Sequence, residues 1–145
     1  MEETFVPRQR SRGLMTITIL AVLQGVSLLF LAIITFVEGK GAADSERASH
    51  AIKTAELTMS VAIYGSLFFL ILGVLASLLA WGLWSRNRWA FRLTPVFEGI
   101  LILIYLCSLS LGINLYSIMQ IILAGVILIY YFVDRSIRAA FSQDL

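Results

Sequence analysis

The 145 residues are 59% hydrophobic and only 14% charged, against roughly 45–50% apolar and ~25% charged in soluble domains. That balance excludes an ordinary water-soluble globule, and a net charge of +2, with the arginines split among short segments beside apolar runs, excludes a nucleic-acid surface. No charge occurs in 13–37, 57–85 or 99–133, runs of 25, 29 and 35 residues, and about 20 helical residues cross a hydrocarbon core of ~30 Å.

The amino-terminal arm carries Arg8, Arg10 and Arg12. The first run predicts a span over about 14–37. It is too long for a signal-peptide core of roughly 7–15 residues, and no small-residue cleavage site with a polar flank follows it. The span is therefore expected to stay in the mature protein. Thr18, Ala21, Gly25 and Ala32 form a stripe of small residues along it, and Gln24 sits mid-span.

Residues 38–56 connect the first two spans, with Lys40, Arg47 and Lys53 against Glu38, Asp44, Glu46 and Glu56. Ala48, Ala51, Ile52 and Ala55 recur at helical spacing, which predicts an amphipathic helix over about 45–56. Asp44 or Ser45 would cap it, and it would run into the second span at about 57–84. His50 has no second histidine or cysteine beside it, so it reads as part of a solvated face rather than a metal ligand.

The second span offers its own stripe, Ala62, Ser66, Gly73, Ser77 and Ala80. Helices in lipid associate by close packing of small residues, so the two stripes predict tight contact of the first two helices. The second connection combines Trp81, Trp84 and Trp89 with Arg86, Arg88 and Arg92, a set of interfacial anchors.

The third span is expected at about 93–111, with Pro95 in its first turn. Glu98 is its one carboxylate. An unpaired charge in lipid costs at least ~2.5 kcal/mol, so Glu98 is expected to pair with Arg88, Arg92, Arg135 or Arg138. The lone Cys107 reads as a packing residue and permits no internal disulfide. The run 99–133 would be about 50 Å long as one helix, so it should fold back near Gly112 and Asn114, turn formers that tolerate left-handed angles. A fourth span follows at about 116–133, with Gln120 in its outer half.

Eight arginines (Arg8, Arg10, Arg12, Arg86, Arg88, Arg92, Arg135 and Arg138) fall on one side of this arrangement and three basic residues on the other. Basic residues cross poorly, so both termini are expected inside. The fold class is all-α, a four-helix transmembrane bundle forming a single membrane domain over 1–145.

The sequence offers no paired histidines, cysteine cluster, phosphate-binding glycine loop or nucleophile set, so neither enzyme, metal nor cofactor is expected. The expected function is contact: an accessory subunit or a self-associating structural protein, whose partners are the bilayer and a membrane protein or a second copy. The alternative is a small transport or permeation protein with a polar path through Glu98, Gln24 and Gln120.

Two segments, Ala80-Trp-Gly-Leu-Trp-Ser-Arg-Asn-Arg-Trp-Ala90 and Ile129-Tyr-Tyr-Phe-Val-Asp-Arg-Ser-Ile-Arg-Ala-Ala-Phe141, carry a resemblance. The chain resembles small, mostly uncharacterised four-helix membrane proteins of bacteria and archaea, which share a G-L-W…R-W-A junction and a terminal Y-Y…R-x-x-F segment. Asp134-Arg-Ser replaces the Arg-Pro pair common in such tails. The resemblance implies a four-helix fold in a prokaryotic inner membrane and attaches no activity to it.

Overall fold

A computed structural model describes residues 12–112 and 114–134. Arg8, Arg10, Arg135 and Arg138 therefore lie outside the described residues. Four helices are present among those described: α1 (Arg12–Ala48), α2 (Ile52–Trp84), α3 (Arg88–Leu111) and α4 (Leu115–Val133). Each is long and apolar enough to cross a membrane, and the chain is a multi-pass helical membrane protein.

Its surface follows from that solvent. Ile19, Phe30, Leu67, Leu103 and Ile122 are exposed, whereas Thr18, Gln24, Thr94, Glu98, Ser117 and Gln120 are buried. Lipid solvates leucine as well as a protein core does, but it offers no hydrogen bond, so polar side chains turn toward protein.

The contacts divide into two compact units, one of residues 21–79 and one of the residues before 21 and after 79. The first unit is an antiparallel hairpin of α1 and α2. Its backbones approach closely where side chains are smallest. A Cβ on Gly25 would stand 2.8 Å from Ser77 Oγ and 3.4 Å from Gly73 O, and a Cβ on Gly73 would stand 2.8 Å from Leu29 Cγ and 3.1 Å from Leu29 N. Farther along, Gly39 lies against Ala62 and Gly65 against Thr35.

The same register continues past the apolar run. The Thr58 hydroxyl donates to Glu46 Oε2 at 2.9 Å, and Ala43 and Ala55 are fully buried. The last 11 residues of α1 from Glu38 onward, about 16 Å of helix, are thus paired with α2 while carrying Glu38, Lys40, Asp44, Glu46 and Arg47. Arg47 and Asp44 form an exposed ion pair at 3.1 Å.

This hairpin corrects the expected amphipathic helix over 45–56. Residues 45–48 end α1, 49–51 turn, and 52–56 begin α2. The Ala51 N–H donates to Glu46 O at 3.0 Å and the His50 N–H to Arg47 O at 3.1 Å, with His50 at φ 63°. These two bonds close a Schellman cap around a left-handed residue, so the apolar periodicity crosses a chain reversal.

The second unit holds the α2–α3 corner and the antiparallel pair α3 and α4. The corner repeats the same cap: the Asn87 N–H donates to Gly82 O at 2.8 Å and the Arg86 N–H to Leu83 O at 3.1 Å, with Arg86 at φ 56°. Because α3 begins at Arg88, Pro95 lies inside the helix and not in its first turn. The helix starts in the polar flank, a full turn before the apolar span.

The third uncharged run folds back where expected. The backbone of Gly112, however, is extended, and it is Asn114 that caps α4, its side chain accepting from the Tyr116 N–H at 2.9 Å. Among the described residues, the left-handed ones are instead His50 and Arg86.

Candidate functional site

α3 buries Ala90, Thr94, Glu98, Leu101 and Tyr105 on one stripe, and α4 buries Ser117, Gln120, Ala124 and Ile127 on another. The spacing of three and four residues follows the helical period. Leu93, Val96, Ile100 and Leu103 face outward from α3. Burying the polar row is what a span containing a carboxylate requires, since lipid leaves it no other partner.

Three contacts fix how the stripes meet. Phe91 and Tyr131 rings lie 4.6 Å apart at the corner end. Tyr105 and Tyr116 meet edge to face at 6.2 Å near the fold-back, and the Ser108 and Ser117 hydroxyls are 3.3 Å apart beside them. Glu98 lies midway along α3 between the first two contacts, and the corresponding midpoint of α4 is Ala124. Glu98 is 2% exposed and Ala124 fully buried.

The seam of polar groups runs from Thr94 to Ser108, about 21 Å of a ~30 Å core. The Thr94 hydroxyl donates to Ala90 O at 2.7 Å, and the Gln120 amide donates to Tyr116 Oη at 2.8 Å. Only Leu101 interrupts the polar row on α3. Such a seam can hold two helices in register.

Glu98 and Gln120 thus share the α3–α4 seam, while Gln24, fully buried, belongs to the unit of residues 21–79. Ala21, Gly25, Ala32, Gly73 and Ala80 are buried and Ser66 half-buried, with Gly25, Gly73 and Ser77 in mutual contact. Of the arginines expected to hold Glu98, Arg135 and Arg138 lie outside the described residues, and Arg88 and Arg92 are exposed. Cys107 is exposed.

Thr94, Tyr105, Ser108, Tyr116 and Ser117 were not picked out by sequence reasoning. A signal existed: stepping from Glu98 by the helical period reaches Thr94, Leu101, Tyr105 and Ser108.

At the α2–α3 corner, Trp81, Trp84 and Trp89 are exposed. A Cβ on Gly82 would stand 2.5 Å from Ala90 Cβ and 3.0 Å from Trp89 Cζ2, so the Trp89 ring is seated over a glycine. Arg88, Trp89, Arg92 and Leu93 line an open recess of about 510 Å³. A second open recess, of about 230 Å³, lies between α1 and α2 and is lined by Ala32, Ile33, Phe36, Ser66, Leu67 and Leu70.

Comparison with protein-family models, with curated proteins and with solved structures finds no match.

Proposed function

We propose that this is a non-catalytic multi-pass protein of a prokaryotic inner membrane, both termini inside, that acts by lateral contact as an accessory subunit or by self-association. The observation that carries this reading is the apolar recess between α1 and α2. Small residues at Ala32 and Ser66 open it at the level of the span, while Ile33, Phe36, Leu67 and Leu70 supply its walls. Apolar surface alone does not drive helices together in lipid, but a recess that admits a side chain from a neighbouring helix does.

Photo-crosslinkers placed at Ile33 and Leu67 in native membranes test it. The expected product is a discrete adduct, with a second copy or with one membrane protein, that disappears when Leu70→Trp, at an exposed lining position, fills the recess. Recovery of monomer alone from both positions would overturn the proposal.

The α3–α4 seam favours a second reading, permeation or proton-linked transport, because a carboxylate, an amide and five hydroxyl side chains line up over most of the span. Proteoliposomes should then conduct protons or a cation, with flux lost in Glu98→Gln and reduced in Gln120→Leu. Absence of flux for both would remove this reading while leaving the first intact.

A further inference from the structure

The recess at the α2–α3 corner is built from two rows on the first turns of α3. Arg88 and Arg92 stand four residues apart, which on a helix places neighbouring side chains about 5–6 Å apart at Cβ. Trp89 and Leu93 form a parallel row of the same spacing beside them. A basic row therefore runs next to an apolar row, and both line one recess of about 510 Å³, within the range of small-molecule sites.

The chemistry of each row is specific. A guanidinium presents five donors in a planar fork that matches phosphate oxygens, so an interaction of Arg88 within the chain leaves donors for a ligand. Trp89 is held by its contact with Gly82 and is still 44% exposed, and Leu93 is 50% exposed. Asn87 gives α3 no side-chain cap, so the positive end of the helix adds to the potential made by the two arginines.

We propose that this recess binds an anionic phospholipid, its phosphate held by Arg88 and Arg92 and its first acyl carbons lying on Trp89 and Leu93. A soluble anion has no use for the apolar row, and a zwitterionic lipid places a cation beside the arginines. The corner lies where the apolar runs of α2 and α3 end, which is the headgroup level of a bilayer. The site depends on the chain lying in a membrane and not on which leaflet the corner faces.

Native mass spectrometry of the full chain in detergent, titrated with phosphatidylglycerol and with phosphatidylcholine of identical acyl chains, tests it. Phosphatidylglycerol should be retained in preference. Arg88→Gln and Arg92→Gln should each weaken it about fivefold, and the pair about 25-fold. Arg92→Lys should keep part of the affinity, and Trp89→Ala should weaken both lipids.

Arg86→Gln makes the same charge change in the same connection but outside the recess, and should leave retention unchanged. Equal retention of the two lipids, or a loss in Arg86→Gln equal to that in Arg92→Gln, would reduce the site to diffuse surface charge and overturn the proposal. Displacement of phosphatidylglycerol by glycerol phosphate at matched concentration would overturn it in favour of a soluble anion. An acidic protein lost from Arg92→Gln membranes, with lipid retention unchanged, would overturn it in favour of a protein partner. None of these outcomes bears on the recess between α1 and α2.

Discussion

Gly73→Ala places one methyl group where two helices touch, and two opposing effects decide its sign. Alanine favours a helix over glycine by at most about 1 kcal/mol. Against that, the new Cβ would lie 2.8 Å from Leu29 Cγ and Cδ2 and 3.1 Å from Leu29 N, about 0.7 Å inside the ~3.5 Å at which carbon contacts become favourable. A χ2 change moves Cδ2 but leaves Cγ in place, and no rotamer change moves the backbone nitrogen, so α1 and α2 must separate. Overpacking of this kind costs about 1–3 kcal/mol, and the separation also loosens the neighbouring Gly25–Ser77 contact. A net destabilisation of about 1 kcal/mol or more is expected. Unfolding in mixed micelles by added sodium dodecyl sulfate measures it, with Gly99→Ala as the control: nothing lies within 4 Å of a Cβ there, so the propensity gain should survive. A Gly73→Ala variant at least as stable as Gly99→Ala would refute the close-packing argument.

Gln120→Leu removes the donor to Tyr116 Oη, one turn away on α4, and should cost about 0.5–1.5 kcal/mol in the same titration, while Met119→Leu, on the exposed face, should be neutral. His50→Gly and Arg86→Gly each relieve a side chain held at positive φ and should stabilise by up to ~1 kcal/mol, whereas His50→Val should destabilise; unchanged midpoints in all three would remove the left-handed caps from the account. Reporter fusions at Ser49 and after Asp144 should report opposite sides of the membrane, and reports from the same side would overturn the proposed orientation.

The spans were legible because hydrocarbon tolerates so few charges. Uncharged runs located the ends of α2 and α4 near Trp84 and Val133, and the excess length of the third run, with Gly112 and Asn114 inside it, required the fold-back that ends α3 at Leu111 and that Asn114 caps. The turn at 49–51 was not legible. Its bonds are backbone to backbone, and the left-handed position is filled by histidine, which carries none of the compositional signal of glycine or proline. Periodicity through Ala48, Ala51, Ile52 and Ala55 pointed to one helix, yet of these only Ala55 is buried and Ile52 is exposed, because the chain reverses between them. Pro95 misled for a related reason: the beginning of an apolar run locates the membrane edge, and a helix can start in the headgroup region a turn or two earlier.

Glu98 was legible as an isolated carboxylate; its neighbours were not, because hydroxyl side chains in spans most often bond their own helix. Thr18, Ser66, Ser77 and Thr94 all do so. Which serines reach across depends on register, and Ser108 and Ser117 meet because they straddle the fold-back at similar distances.

The two hairpins are consequently held by different forces. α1 and α2 meet through absent side-chain volume: Ser77 spends its hydroxyl on Gly73 O, 2.8 Å away within its own helix, and contributes only its small size to the contact with Gly25. α3 and α4 meet through polarity and ring contacts, with Ser117 reaching Ser108 and Gln120 set beside the Tyr105–Tyr116 pair. Ser77→Ala should therefore be tolerated and Ser77→Leu should not, because volume decides there. Ser117→Ala removes a hydrogen bond from a site 2% exposed and leaves the Ser108 hydroxyl to find another partner in lipid, so it should cost more than Ser77→Ala despite deleting the same atom. A hairpin tuned by volume suits a contact surface, since a neighbouring helix competes for the same packing. One tuned by a buried carboxylate and hydroxyls keeps its register fixed, which is what a corner presenting Arg88 and Arg92 to a single phosphate requires of the helix that carries them.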